Sequence, residues 1–226
     1  MPWYKAWLET RWRFVFTIGS MLLLWLTIPL LGAPPERLWP AFELGSALLY
    51  CFAALFLAGA GINSQTTYGM MSGFHGSMLF TLSMPVMRRR LFFVRAGLGE
   101  IETCAFVVMT ASLTLLLRPE TTGTSQAFLY GLRAMVCTMA VYALSALLAC
   151  VLDETWQFMG GCLILGFVLA IQSRVAVISH FSPLRGMSLV SYPVTASVPW
   201  ALVGASVVLI AIFLYTSLLV LQRKEY

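Results

Sequence analysis

Apolar residues dominate six stretches of the chain, 14–32, 46–64, 91–117, 127–151, 155–172 and 199–221. Within each they occur on every side of a notional helix, so no continuous polar face is left for water. Each stretch reaches the ~17 residues that a helix needs to cross a bilayer core, and together they predict six transmembrane helices. Punctuation separates them. Pro34, Pro35 and Pro40 are expected to break the chain between the first two. "RPETTGTSQ" parts the third from the fourth, and "DETW" makes a very tight turn between the fourth and fifth. The segment 173–198 is longer, mixed in polarity and carries Pro183 and Pro193.

Two stretches depart from this pattern. In 1–13, Trp3, Tyr4, Trp7, Leu8 and Trp12 alternate with Lys5, Glu9, Arg11 and Arg13. That pattern predicts a short amphipathic helix lying in the membrane interface, its tryptophans at headgroup level. In 63–90, glycines at 69, 73 and 76 precede "SMLFTLSM", in which Met78, Leu79, Phe80, Leu82 and Met84 form the apolar face of a short helix. Pro85 ends that helix, and Arg88, Arg89 and Arg90 follow at the entrance to the third span.

Composition agrees with membrane insertion. Of 226 residues 60% are hydrophobic and only 10% charged, and the mean hydropathy is +0.86. Soluble domains carry about a quarter of their residues as charges, so the chain reads as an all-α integral membrane protein forming one domain over 1–226. The N-terminus "MPWYKAWLETRWRF" has no short apolar region followed by a small-residue cleavage site, so the first apolar run is expected to remain as a span. With the N-terminus in the cytoplasm, Lys5, Arg11, Arg13, Arg88, Arg89, Arg90, Arg95, Arg223 and Lys224 lie inside, against Arg37, Arg118, Arg133, Arg174 and Arg185 outside. That bias places both termini in the cytoplasm of a multi-pass protein of the cell (inner or plasma) membrane. The net charge of +5 is explained by these membrane-edge cations and calls for no nucleic acid. Five cysteines, all in apolar runs and none in a CxxC pair, read as packing residues.

Four charges fall within predicted spans: Arg95, near the inner end of the third, and Glu100, Glu102 and Arg133. Glu100 and Glu102 lie about 14 and 17 Å along the third span if it starts near Leu91. Two residues apart, they face different sides of a helix. Bare charges at that depth are costly, so each is expected either to bind partners within the bundle or to line a translocation path. Arg133, about two turns into the fourth span, is expected to snorkel outward, the alternatives being a carboxylate partner or an anionic substrate group. Asp153 and Glu154 suit a cap for the fifth helix. Gly160 and Gly161, like "AGAG" at 58–61, permit close helix approach. His75 and His180 have no second ligand at metal spacing, and no metal site is readable.

With these residues in place, "FTLSMPVMRRRLFFVRA" resembles the stretch of type-2 ABC export permeases in which a cytoplasmic coupling helix precedes an "LPVSRR"-like segment leading into the third span. The likeness in layout covers essentially the whole length. Where such permeases often carry an acidic stretch before the coupling helix, this chain reads "TTYGMMSGFHGS", without an acid. The resemblance implies the membrane half of an ATP-driven transporter, an exporter, paired with a second permease copy and two separate ABC ATPase subunits. Met78, Leu79, Phe80, Leu82, Met84, Arg88, Arg89 and Arg90 would contact the ATPase, and 173–198 would include a short re-entrant or interfacial helix. ATP and Mg are expected on the ATPase, and no cofactor on this chain. Independently of the resemblance, no GxxxxGK[ST] loop is present and the only lysines are Lys5 and Lys224, so no phosphate loop can exist here.

Two other classes fit the same layout. One is a non-transporting membrane assembly or sensor subunit. The other is an intramembrane enzyme, for which Glu100 or Glu102 is the only candidate catalytic group. The substrate is not written in the residues.

Overall fold

Residues 2–30, 35–58, 88–116, 124–152, 154–188 and 197–223 are described by the structure, a computed structural model. Among them are eight helices and no strand: α1 (Pro2–Leu30), α2 (Pro35–Leu57), α3 (Arg88–Leu116), α4 (Thr124–Val151), α5 (Glu154–Gln172), α6 (Ala176–Phe181), α7 (Pro183–Met187) and α8 (Trp200–Arg223). Three of the described helices are long and apolar enough to cross a membrane: Ser125–Val151 of α4, Thr155–Gln172 of α5 and Trp200–Arg223 of α8. The described elements are thus all helical, and the chain is membrane-embedded. Charge marks the first halves of α1 and α3. α3 carries Arg88, Arg89, Arg90, Arg95, Glu100 and Glu102 in its first half, and α1 carries Lys5, Glu9, Arg11 and Arg13 near its start.

The boundaries of α4, α5 and α8 follow the apolar runs closely. Those of α3 do so equally, and those of α1 and α2 differ from expectation. No break separates an interfacial helix at 1–13 from a first span, because α1 is one helix of 29 residues. At ~1.5 Å per residue it is about 44 Å long, well beyond a ~30 Å hydrocarbon core. Nothing in the first turns of α1 interrupts helical hydrogen bonding, so the amphipathic stretch simply continues it. Pro35 does not break the chain but opens α2 at its first position, where a proline loses no hydrogen bond, and Pro40 lies inside that helix. α2 therefore begins well before residue 46 and ends at Leu57, with Ala58 in a turn. The three arginines form the first turn of α3 rather than a lead-in to it. Met78, Leu79, Phe80, Leu82 and Met84 lie outside the described residues.

α4 is the hub, packed against α2, α3, α5, α7 and α8. Its apolar window is 61% buried, against 11% in α5 and α8. Small side chains make this possible: Ala134, Thr138, Ser145, Ala146 and Ala149 are all buried along α4. In lipid there is no water to expel from between helices, so association depends on such close contact. At α3 the contact is closest over Gly99, where a Cβ would run into the ring and hydroxyl of Tyr142. That hydroxyl donates to Ala96 O at 2.9 Å. Gly161 of α5 lies under Leu55 of α2, and Gly186 of α7 against Cys137 and Leu202.

The outer faces of α5 and α8 are correspondingly apolar and bare, with Leu163, Phe167, Val208 and Tyr215 exposed. Several hydroxyls on the helices are tied back to their own backbone. Ser112, Thr138, Ser206 and Thr216 each donate to the carbonyl four residues earlier at 2.7–2.9 Å. A hydroxyl bonded in this way adds little polarity to a helix in hydrocarbon.

The described residues of the segment 173–198 hold two short helices of opposite character. α6 has no buried residue, whereas Leu184, Gly186 and Met187 of α7 are buried against α4, α8 and α2. α7 therefore dips back into the bundle beneath α6.

Gly99→Ala should lower the thermal unfolding midpoint in detergent, with a destabilisation of about 1–3 kcal/mol from overpacking. Gly166→Ala should leave it unchanged or raise it, since nothing lies within 4 Å of the added carbon. Intrinsic tryptophan fluorescence on heating distinguishes the two.

Candidate functional site

The last turn of an α-helix leaves carbonyls without intrahelical partners. At the end of α2 these are capped by three other helices. Ala54 O accepts from the Ala58 amide at 3.2 Å. The Gln157 amide of α5 donates to Leu55 O and to Ala58 O, each at 3.1 Å, and to Ser145 Oγ of α4 at 2.7 Å. The Ser145 hydroxyl in turn reaches Leu55 O at 3.5 Å. Arg13 of α1 donates to Phe56 O at 3.4 Å, its guanidinium over the Phe56 ring at 5.7 Å. Gln157 is 2% exposed. It reaches α2 because Gly161, one turn further along α5, lets Leu55 come close.

The start of α3 is held from the same end of the bundle. Phe92 and Ala96 pack with Ala149 and Cys150 of α4 and Leu221 of α8. Trp3 of α1 lies against Gly97. Glu102, 2% exposed, accepts a short hydrogen bond on Oε1 from the Thr10 hydroxyl of α1, with the charge of Arg13 also acting on it. Its Oε2 has no hydrogen-bond partner among the described residues. The two chain ends that flank 59–87 are thus fixed at one end of the bundle, and α1 and α4 touch both.

The remaining sequence candidates fall in other surroundings. Glu100 is half-buried, near Cys104 one turn on and Tyr142 across the α3–α4 contact. It faces a different side from Glu102, as the spacing predicts. Arg133 does not snorkel. It is 3% exposed, with its guanidinium 5.4 Å from the Tyr130 ring centroid. The Tyr130 hydroxyl lies 3.3 Å from that of Tyr50 on α2. The charge of Arg133 acts on Tyr50 and Cys137, and that of the glutamates on Tyr142, nine residues or about 14 Å further along α4. The structure therefore separates Arg133 from Glu100 and Glu102. Arg90 is exposed at the start of α3.

Gln157, Ser145 and Thr10 were not marked by any sequence motif. The available signal was a lone amide in the first turn of an apolar helix and hydroxyls on the faces of others. Cys51, Cys137 and Cys150 are buried, with Cys137 Sγ 3.7 Å from Ser206 Oγ and Cys51 Sγ 3.8 Å from Met187 Sδ. No family model, curated protein or solved structure matches the chain. What fold and site define is a class, an all-helical membrane-embedded protein whose helix ends around 59–87 are clamped from several sides.

Gln157→Leu strands Ala58 O, leaves Leu55 O only the long contact from Ser145, and should destabilise the protein by about 2 kcal/mol. Ser145→Ala should cost less, because Gln157 still serves Leu55 O. The double variant should fall short of the sum, since the two residues share an acceptor. Unfolding titrations of all four proteins in mixed micelles measure the coupling.

Proposed function

We propose that the chain is the membrane-spanning permease subunit of an ATP-driven ABC transporter of the export type. In this reading it has six spans, lies in the cell (inner or plasma) membrane with both termini in the cytoplasm, and pairs with a second permease copy. Two separate ATPase subunits bind ATP and Mg, and the coupling segment at 63–90 receives their motion. The resemblance of "FTLSMPVMRRRLFFVRA" to the coupling stretch of such permeases supports this. The observation that carries it is the clamp. The end of α2 is bonded to α1, α4 and α5, and α3 is bonded to α4 at Ala96 and to α1 at its midpoint, Glu102, so a push on that segment would pass to the whole bundle.

ATP-driven closure of the ATPase pair would then move α2 and α3 as levers on α4, biasing the bundle between inward- and outward-open states. Met78, Leu79, Phe80, Leu82 and Met84 would press into the ATPase. Arg88, Arg89 and Arg90 would hold the entrance of α3 against lipid phosphates or acidic groups of the partner. Glu100, Glu102 and Arg133 would lie on or beside the path. The chemistry of ATP stays with the partner.

Co-expression with an ABC ATPase, which this reading expects to be encoded beside the chain, tests the reading. A stable complex should form, Leu82→Asp should release the ATPase while the permease stays folded, and the Arg88, Arg89, Arg90→Ala variant should weaken or keep the complex according to what the arginines bind. An ATPase that never co-purifies with the wild-type chain would sink the proposal and leave a non-transporting membrane subunit in its place.

A further inference from the structure

A hollow of about 420 Å³ lies between α4, α5, α6, α7 and α8, within the ~300–1,000 Å³ range of ligand pockets. Val141 and Leu144 of α4, Leu165 of α5, Phe181 of α6 and Leu209 and Phe213 of α8 form much of its wall. Ser182, between α6 and α7, is the one polar residue lining it among the described residues. Ser182 is 4% exposed, and its Oγ has no hydrogen-bond partner among the described residues. It does not cap α7. A buried hydroxyl without a partner is unfavourable, so a ligand that brings a hydrogen-bonding atom there is stabilised twice, by apolar contact and by that bond. A second hollow of about 350 Å³, lined in part by Phe16, Phe52 and Phe158, lacks this feature. Its hydroxyls, Thr17 and Ser20, donate to Arg13 O at 2.7 Å and Thr17 O at 2.9 Å.

The first hollow opens where the molecule already needs an apolar medium. Ile164, Val177 and Phe181 on its lining are exposed, and the apolar windows of α5 and α8 on either side are 11% buried. Charge is placed to match. α6, which walls the hollow with Val177, Ile178 and Phe181, also presents Ser179 and His180. Arg185 Nη1 lies 2.9 Å from Ser179 Oγ and 3.5 Å from His180 Nδ1. Arg174 is exposed just before α6, and residues 173–198 contain no acid. An apolar slot open to lipid, with a buried hydroxyl in its lining, Arg185 bonded to the helix that walls it and Arg174 exposed two residues before that helix, matches a lipid chain below a negatively charged headgroup.

We propose that this slot holds one acyl chain of an anionic phospholipid drawn from the surrounding bilayer. The Ser182 hydroxyl donates to an ester carbonyl of that lipid, and its phosphate sits against Arg185 and Arg174. The site does not depend on the transport reading, and neither an ATPase nor a substrate is needed to test it. The full chain is reconstituted into nanodiscs of equal palmitoyl-oleoyl phosphatidylglycerol and phosphatidylcholine, released into detergent, and weighed by native mass spectrometry. One phosphatidylglycerol should be retained about tenfold over phosphatidylcholine. Leu209→Trp, which fills the slot, should cut that retention at least tenfold. Arg185→Gln should abolish the preference for phosphatidylglycerol while leaving lipid bound. Ser182→Ala removes a single oxygen, should reduce retention several-fold, and carries the test if the tryptophan variant does not fold. Retention that none of these changes alters, equal retention of both lipids by the wild type, or Leu209→Cys pairs that cross-link two copies across the slot would each overturn the proposal.

Discussion

A helix that ends inside an apolar bundle leaves carbonyls that water cannot reach, and each must find a donor or destabilise the fold. The end of α2 meets this constraint with groups from α1, α4 and α5, and the rest of the near end is arranged around it. Gln157 donates to two of the carbonyls only because Gly161 allows α5 to approach Leu55. Ser145 reaches the same carbonyl because α4 carries small residues along this face. Arg13 reaches Phe56 because α1 continues without a break through residues that would otherwise have lain in the interface. Three helix placements therefore follow from one set of hydrogen bonds.

Close approach serves the same end at α3. The hydroxyl of Tyr142 lies over Gly99 and binds Ala96 O, which fixes how α3 crosses α4. Gly186 does the equivalent for α7, letting it enter between Cys137 and Leu202. A bundle in lipid gains little from burying apolar area alone, so van der Waals contact and a few interhelical hydrogen bonds set its geometry. Glycines at these two crossings and the amide of Gln157 are the residues through which that geometry is specified.

Much of the architecture was legible from hydropathy. The runs 127–151, 155–172 and 199–221 became α4, α5 and α8 with shifts of a few residues, because each is apolar all round and ends at a turn signal. α2 was misplaced because an apolar window registers only the second half of that helix. Its first residues are Pro35, Glu36 and Arg37, and proline at a helix start favours the helix it was expected to end. The inward burial of Arg133 was hidden for a different reason. Whether an arginine snorkels depends on the aromatic and polar groups of neighbouring helices, here Tyr130 and Tyr50, and no local pattern records them. Glu100 and Glu102 stood out as charges in a span, but Thr10 and Gln157, on which the near end depends, look ordinary in one dimension.

The buried polar groups also differ in how completely they are satisfied, and the differences follow position. At the end of α2 the described carbonyls of Leu55, Phe56 and Ala58 all have donors. At the middle of α3, Glu102 is bonded through one oxygen to Thr10 while the other has no partner among the described residues. Low surrounding polarity makes a completed network rigid and a half-completed one sensitive to small shifts. α2 is thus joined firmly to α4 and α5, whereas α1 meets α3 through a contact that a change of partner at Glu102 can alter. If 59–87 transmits force, as proposed above, the first joint sets the fulcrum and the second is where α1 and α3 can exchange partners without dismantling the bundle.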